Sequence, residues 1–278
     1  MMERQGVRGS TKLLRHLKNS GRLDAPVDFH IGPSLKVFVP IGRNFYDRFD
    51  LDTYEDDFLE TLSTTIRDTP GNTTLIDVGA DIGLFSLKLL ARSPSIVRVV
   101  AFEPNGEGFP WLKMNLDRLQ IPTQALNAAA ADFEGPGRLE APDARWSQGV
   151  ETNHTQFFLV SDPDGSIKVT QIDSLDITGK ENLVIKIDVE GGELAVLRGA
   201  TRAITAASHV IVATEAHPSV VARTGVDPLE CLRLLSSLRP FRFITGETGV
   251  VLNTDKPVFE QLAPDQIYNI IAQSLPCS

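Results

Sequence analysis

The feature that most constrains this chain is a short apolar segment that ends in acids and then turns into a helical pattern. Residues 183–187 (LVIKI) contain Lys186 and are followed by Asp188 and Glu190, after which two glycines turn the chain. An apolar run of this length predicts a buried strand of an open α/β sheet, in which ligands bind at the carboxyl ends of the strands. Acids at such an end are costly in an apolar setting unless a cation meets them.

The pattern around this segment repeats along the chain. Apolar β-branched runs alternate with helical patterns, which predicts crossover connections and a mainly parallel sheet covered by helices on both faces. The predicted strands are 35–40, 73–78, 96–102, 123–128, 183–187, 209–214, 241–244 and 249–252, and the predicted helices are 52–66, 84–91, 109–119, 193–206 and 228–238.

The domain organisation follows from where this alternation begins. We expect residues 71–278 to form the main domain, and residues 1–70 to form an extension (helix, strand, helix) that packs on it. The first 22 residues are basic, which suits a solvated helix or a contact with an anionic surface or partner.

One region departs from the alternation and predicts an insertion at about residues 133–175. The turn signal Asp162-Pro163-Asp164-Gly165 lies between two strand-like runs, 155–160 and 166–172. We therefore expect a β-hairpin, preceded by a long loop at 141–154 of the kind that often serves function.

Composition narrows the class of protein. The 278-residue chain has a net charge of −9, so a basic surface for nucleic acid is not expected. No apolar stretch is long enough for a membrane span, and no secretory signal is expected. Two cysteines form no disulfide framework or zinc set, which favours a cytoplasmic protein.

The first turn of the predicted sheet, LIDVGADIGLF at 75–85, is of the kind that binds a nucleotide. Gly79 and Gly83 let the backbone approach a ligand closely, and a helix N-terminus follows. The third glycine of a dinucleotide fingerprint is missing. Asp77 and Asp81 disfavour a pyrophosphate, because like charges repel, and favour a cationic or zwitterionic ligand.

Two further strand ends point to the same ligand. Glu103 follows the second strand, where an acid commonly accepts hydrogen bonds from ribose hydroxyls; otherwise it is a helix cap or a surface acid. Asp132 follows four alanines, which allow a flat base to lie against the backbone, and it either accepts from an exocyclic amine or is an ordinary turn acid. An adenine and a ribose without phosphate indicate S-adenosylmethionine.

The chain resembles the FkbM-type family of S-adenosylmethionine-dependent methyltransferases. The motifs that carry the resemblance are IDVGADIGLFS at 76–86, AFEPN at 101–105, NAAAAD at 127–132, KIDVEGGELAVLRGA at 186–200 and ATEAHP at 213–218. One departure is Asp81, where the family usually has Asn.

The resemblance implies a class I methyltransferase fold, a mainly parallel seven-stranded sheet with one antiparallel strand. It also implies methyl transfer to a hydroxyl oxygen of a sugar, polyketide or related metabolite. The residues expected to bind the cofactor are Asp77, Gly79, Ala80, Asp81, Gly83, Glu103, Pro104, Ala131, Asp132 and Asp188.

An alcohol acceptor needs help to lose its proton. His217 is the candidate general base, oriented by Glu215 or Asp188, because imidazole titrates near neutral pH; the alternative is a structural histidine. In a second arrangement, Asp188, Glu215 and His217 hold Mg²⁺ or Mn²⁺.

The acceptor is expected to be a small molecule or a glycan. Glu190 is a candidate for binding either the acceptor or the cofactor ammonium, and Trp146 and His154 in the long loop are candidates for closing over a sugar. Two other classes stay open: a module that binds the cofactor without turnover, and a nicotinamide-dependent oxidoreductase. The sequence leaves homo-oligomer formation open.

Overall fold

The computed structural model of the protein describes residues 26–31, 35–40, 53–140, 158–177 and 181–276. In the N-terminal extension, β1 (Pro26–Ile31) and β2 (Leu35–Pro40) pair as antiparallel strands, and α1 (Asp56–Arg67) follows. β1 was not predicted, and the helix expected in the first 22 residues lies outside the described segments. Val37 and Val39 of β2 are buried in one hydrophobic cluster with Ile82, Leu84 and Leu87, so the extension shares its core with the main domain.

Within the described residues the main sheet contains eight strands, which are β3 Thr73–Val78, β4 Ile96–Phe102, β5 Thr123–Leu126, β10 Asn182–Ile187, β11 Val210–Ala216, β12 Phe241–Thr245, β13 Val251–Leu252 and β14 Tyr268–Ser274. Their order is β13-β12-β14-β11-β10-β3-β4-β5. Strands β3, β4, β5, β10, β11 and β12 share one direction, and β13 and β14 run in the opposite one.

The family resemblance predicted seven strands, one of them antiparallel. Within the described residues the sheet has eight strands, and two of them are antiparallel to the other six. The strand that the sequence did not predict is β14, which lies inside the sheet between β12 and β11. β13 corresponds to the predicted strand 249–252 and pairs with β12 across a tight turn. Gly249 adopts φ +68° in that turn, and the hydroxyl of Thr245 accepts a hydrogen bond from the Val250 amide at 3.0 Å. A short hairpin therefore adds an edge strand to the sheet.

Helices cover both faces of the sheet, as the alternating pattern predicted. One hydrophobic cluster packs Ile76, Ile185 and Val212 against helices on one face, and a second packs Leu75, Val184 and Ile211 against the other. Among the described residues, no helix is both long and apolar enough to cross a bilayer. The remaining helices are α2 Leu84–Arg92, α3 Phe109–Leu116, α4 Glu193–Arg198, α5 Thr201–Ala206, α6 Pro218–Thr224, α7 Leu229–Leu238 and α8 Val258–Gln261.

The single helix predicted over 193–206 is two helices, α4 and α5, broken at Gly199. A Cβ at Gly199 would lie 1.9 Å from the carbonyl oxygen of Ala131, so the chain is pressed against the end of the neighbouring strand there. Asp173 then caps α5, because its two carboxylate oxygens accept from the amides of Arg202 (2.9 Å) and Ala203 (2.8 Å).

The predicted β-hairpin insertion is instead a small four-stranded sheet. It consists of β6 (Ala129–Ala130), β7 (Gly135–Glu140), β8 (Phe158–Ser161) and β9 (Ile167–Thr170) in the order β6-β9-β7-β8. β8 and β9 do not pair with each other, because β7 lies between them and is antiparallel to both. The expected turn at 162–165 therefore carries the chain across β7 rather than back along β8.

Two glycines make this crossing sterically feasible. Gly137 of β7 pairs with Ser161 on one side and with Ile167 on the other. A Cβ at Gly165 would lie 2.1 Å from the Gly137 carbonyl oxygen, and a Cβ at Gly137 would lie 3.0 Å from the Val160 oxygen. The two backbones can approach this closely only without side chains.

We expect Gly165→Ala to lower the free energy of unfolding by about 1–3 kcal/mol, the usual cost of forcing an extra methyl group into a packed site. Urea denaturation measures this change. Gly106→Ala is the matched control, because a Cβ at Gly106 meets nothing within 4 Å. Equal stability of the two variants would show that the crossing at Gly137 is not tightly packed.

Candidate active site

A cavity of about 310 Å³ opens at the carboxyl ends of β3, β4 and β10, where parallel sheets bind ligands. Its size is at the lower end of the range for small-molecule sites. The small sheet and the segment before α1 complete its walls. The lining residues are Tyr54, Val78, Gly79, Ala80, Asp81, Leu84, Phe85, Phe102, Glu103, Pro104, Asn105, Ala129, Ala130, Ala131, Phe133, Leu139, Leu159, Lys186, Asp188, Val189, Glu190, Gly192 and Ala195.

The glycine turn after β3 has the geometry that the sequence predicted. Gly79 adopts φ +82°, and a Cβ there would lie 1.9 Å from the carbonyl oxygen of Asp188. Gly83 adopts φ +83° at the start of α2, and it is not among the lining residues. The turn therefore holds the ends of β3 and β10 in direct contact at the cavity wall.

Glu103 connects the ends of β3 and β4. One carboxylate oxygen accepts from the Asp81 amide and the other from the Asn105 amide, each at 2.7 Å. The residue is 7% exposed and lines the cavity. Each carboxylate oxygen has further lone pairs, so the fixed carboxylate retains acceptor capacity toward a ligand hydroxyl.

The third strand end forms a flat wall of small residues. Ala129, Ala130 and Ala131 are buried and line the cavity. Asp132 is not among the lining residues: its carboxylate lies 4.0 Å from Arg198 on α4 and its carbonyl accepts from Gln171. The structure thus brings Ala131, but not the Asp132 carboxylate, to the cavity.

A buried lysine forms part of the wall between β3 and β10. Lys186 donates to Asp188 at 2.8 Å, with its side chain 4% exposed, and it is the register partner of Asp77 on β3. Burial alone would lower the lysine pKa, but Asp188, Asp77 and Glu55 outweigh burial and raise it. Lys186 is therefore a permanent cation that meets the acids at the sheet edge.

Asp77 lies below the cavity rather than in its lining. It is fully buried, and one carboxylate oxygen accepts from the Ser86 hydroxyl at 2.6 Å. Among the described residues, its other oxygen has no hydrogen-bond partner. Burial raises its pKa, against the opposing effects of Lys186 and Ser86. Asp77 thus supports the wall from behind, next to the residues that reach the ligand space.

Glu190 sits where the cavity meets α6. It adopts φ 55°, a left-handed conformation that is uncommon for a non-glycine residue. Arg223 of α6 donates to the Glu190 carbonyl, lies 4.0 Å from its carboxylate and places its guanidinium 5.3 Å from the Phe158 ring. Burial and Asp188 raise the Glu190 pKa to about 7, against the opposing effect of Arg223.

His217 and Glu215 face a second, water-sized cavity of about 20 Å³ beside the first. The Nδ1 atom of His217 accepts from the Ser219 amide at 3.1 Å and so caps α6. Burial and Arg223 lower the His217 pKa, against Asp188, which raises it. Burial, Asp188 and Glu190 raise the Glu215 pKa to about 8. At neutral pH the imidazole is therefore neutral and Glu215 is largely protonated.

The donors of the metal-assisted alternative do not converge. Asp188 lines the large cavity and is paired with Lys186, whereas Glu215 and His217 line the small one. Within the described segments, no three His, Cys, Asp or Glu side chains form a group that could hold a metal ion.

Comparison with known proteins identifies the family. The model of the FkbM methyltransferase domain matches residues 77–241, more than half of the chain. The chain belongs to the FkbM methyltransferase family. This membership makes it an S-adenosylmethionine-dependent methyltransferase of α/β fold.

One relative of this FkbM methyltransferase is the hexuronic acid methyltransferase AglP of Haloferax volcanii. The two are 30% identical over 183 residues, which is 65% of this chain and 68% of AglP.

Solved structures of methyltransferases are similar at lower levels. Precorrin-6y C5,15-methyltransferase of Geobacter metallireducens is 10% identical with a TM-score of 0.42, covering 84% of this chain and 95% of that one. The M. jannaschii protein TYW2 is 10% identical with a TM-score of 0.41, covering 90% and 85%. TM-scores this low add nothing to the fold, which rests on the strand order and the family match.

Several lining residues of the FkbM methyltransferase were not predicted as site residues from its sequence, among them Tyr54 and Lys186. Tyr54 lies in the extension, far from every motif, and Lys186 has the appearance of a structural lysine in a strand. A lysine inside an apolar run was a usable signal, because such a residue must be paired. Trp146 and His154 lie outside the described residues.

We expect Lys186→Met to lower the free energy of unfolding by about 3–5 kcal/mol, because it leaves buried carboxylates without their cation. Lys113→Met is the control: Lys113 pairs with Asp117 at 2.7 Å with both side chains more than half exposed, and such pairs contribute about 1 kcal/mol or less. Urea denaturation compares the two. A small, equal loss in both variants would contradict a central role for Lys186.

Proposed function

We propose that this methyltransferase transfers a methyl group from S-adenosylmethionine to a hydroxyl oxygen of a sugar or glycan. The observation that carries the proposal is the cavity at the strand ends, whose described lining contains four acids (Asp81, Glu103, Asp188 and Glu190) and one lysine. An excess of acids suits a cationic ligand. The sugar acceptor is supported by the relative described as a hexuronic acid methyltransferase.

The residues present fit the cofactor. Glu103 is in position to accept from ribose hydroxyls, and Ala129 to Ala131 offer a flat surface to an adenine. Gly79 brings backbone to the cavity where any Cβ would be blocked. Asp188, at the opposite side of the cavity from Glu103, is then the acid for the methionine end. When bound, S-adenosylmethionine supplies an electrophilic methyl group on a positively charged sulfur.

The protein's own contribution to the reaction is mainly positioning. An in-line displacement requires the acceptor oxygen to be held behind the methyl group, and holding reactants in that geometry accounts for much of the rate. Because positive charge on sulfur is lost during transfer, no strong new charge needs stabilising there. Glu190, at the rim toward α6, is the described residue best placed to orient the acceptor, and Trp146 and His154 remain candidates for the same task.

Removal of the acceptor proton is assigned to His217. A lowered pKa keeps its imidazole neutral at neutral pH. Because Nδ1 accepts from the Ser219 amide, it is the unprotonated nitrogen of the neutral ring, and it has to leave that hydrogen bond to take up the acceptor proton. Glu215 is protonated below about pH 8, so it is suited to orienting the imidazole rather than to acting as the base. Asp188 already accepts a hydrogen bond from Lys186. The separation of the three donors disfavours the metal-assisted route.

The proposal is tested by incubating the protein with methyl-labelled S-adenosylmethionine and a panel of neutral sugars, uronic acids, short glycans and polyketide alcohols. Mass spectrometry should show a gain of one labelled methyl group on a sugar, and fragmentation should locate it on a hydroxyl oxygen. If the protein binds the cofactor and labels a polyketide alcohol but no sugar, the acceptor is a polyketide rather than a sugar or glycan.

We expect Glu103→Gln to weaken binding of S-adenosylmethionine by about 10-fold or more, since hydrogen bonds to a charged acceptor contribute about 1.5–3 kcal/mol. Calorimetric titration measures the affinity. Glu107→Gln is the control, because Glu107 is exposed in the same turn. Unchanged affinity in the Glu103 variant would place the ribose elsewhere.

The base is tested with two substitutions of His217. His217→Ala removes both the imidazole and the α6 cap, whereas His217→Asn keeps a good capping residue without a basic nitrogen. If His217 is the base, both variants should lose about 10²-fold in turnover with cofactor affinity retained. Wild-type turnover in the Asn variant would show that His217 serves only as a helix cap and is not the base.

A further inference from the structure

A residue of the N-terminal extension, Tyr54, contributes to the cavity wall. Tyr54 lines the cavity together with Lys186 and Asp188, although it lies before α1 and outside the residues matched by the family model. We propose that the Tyr54 ring faces the sulfonium of S-adenosylmethionine and makes the site select this cofactor over its neutral product. The inference rests on cofactor binding in this cavity, as stated in the proposed function.

The position of Tyr54 follows from its surroundings. The ribose side of the cavity is marked by Glu103, and the opposite side by Asp188. Burial is the main cause that raises the pKa of the Tyr54 phenol. The nearby charges of Glu55, Asp188, Asp77 and Asp81 raise this pKa further. The phenol is therefore neutral. Tyr54 also packs against the cluster that contains Phe85, whose ring centroid lies 5.1 Å from the Lys186 ammonium that binds Asp188, and this is the side where the sulfur is expected.

The corner formed by residues 54–56, which carries Tyr54, is held in place by two cationic side chains of α2. Lys88 of α2, with its side chain 3% exposed, donates to the Tyr54 carbonyl at 2.8 Å and pairs with Asp56 at 2.8 Å. Arg92 of α2 binds the same carboxylate at 2.8 Å. Two cations of the helix that begins at the glycine turn thus hold the extension against the cavity.

The backbone at this corner is also strained. Glu55, the residue before α1, adopts φ 50°, and non-glycine residues keep such a conformation only where the surrounding structure enforces it. Phe58 in the first turn of α1 stacks on Phe85 at 5.9 Å and contacts Gly246, at which a Cβ would lie 2.5 Å from the Phe58 ring. The corner is therefore built into the core rather than laid over it.

An aromatic ring next to the cofactor sulfur interacts with the positive charge of the sulfonium. The face of an aromatic ring attracts a cation, and this attraction increases when water is excluded. The neighbouring ring of Phe85 already has a cation near it, Lys186 at 5.1 Å. Methyl transfer converts the sulfonium to a neutral thioether, so a ring at the sulfur holds the methyl donor more tightly than the product and favours product release.

The test compares affinities for S-adenosylmethionine and S-adenosylhomocysteine in two variants. Tyr54→Leu keeps apolar bulk but removes the ring, and Tyr54→Phe keeps the ring. We expect Tyr54→Leu to lose about 2- to 30-fold in affinity for S-adenosylmethionine, with a clearly smaller loss for S-adenosylhomocysteine. Tyr54→Phe should retain the wild-type ratio of the two affinities. Calorimetric titration gives each constant without requiring turnover.

The matched control is Phe133→Leu, which also replaces an aromatic ring by leucine. Phe133 lines the same cavity and follows the alanines at 129–131. It should weaken both ligands equally. Equal weakening of both ligands by Tyr54→Leu would overturn the inference and leave Tyr54 a packing residue. If that variant does not fold, Tyr54→Met replaces it with the same expected ratio. Wild-type protein that binds neither ligand would instead refute the cofactor assignment itself.

Discussion

The buried ammonium of Lys186 is the interaction on which the candidate site depends. It lies 2.8 Å from Asp188 and beside Asp77 in the strand register, so one cation compensates acids at the ends of two neighbouring strands. Without it, these carboxylates would repel each other in a water-poor setting. The lysine therefore fixes where the Asp188 carboxylate lies.

The acids of the site outnumber this cation, and this has a consequence for ligand binding. Burial and mutual repulsion raise the pKa of Glu190 to about 7 and of Glu215 to about 8. The unliganded site thus reduces its own repulsion by holding protons near neutral pH. A cation that binds there favours the ionised carboxylates, so cofactor binding is linked to proton release. The same linkage weakens cation binding as pH falls below these values.

Backbone strain is concentrated around the cavity. In the described segments the non-glycine residues with positive φ are Glu55, Asp81 and Glu190. Asp81 and Glu190 line the cavity, and Glu55 follows Tyr54, which also does. All three are acids in the segments that directly precede α1, α2 and α4. Conformations of this kind persist at functional sites because the surrounding packing enforces them.

Local patterns were sufficient for the parallel core and for part of the cavity wall. Apolar runs predicted β3, β4 and β10, and the residues that follow a parallel strand must gather at one edge of the sheet. Gly79, Glu103 and Asp188 could therefore be placed at the cavity before any contact was known. The family resemblance added the reaction, which periodicity and spacing do not carry.

Contacts between distant segments decided the rest. The chain crosses β7 because Gly137 and Gly165 can touch, a fact that a turn motif does not contain. Asp132 turns toward Arg198, because a helix that follows much later in the chain supplies its partner.

The sequence by itself determined the strand–helix alternation, the acidic strand ends and the family, because these depend on local periodicity and short motifs. Only the tertiary structure decided which acids reach the cavity, which are paired behind it, and that Tyr54 of the extension completes its wall. Burial and charge pairing depend on residues far apart in the chain, and a side chain's role follows from the neighbours that folding brings to it.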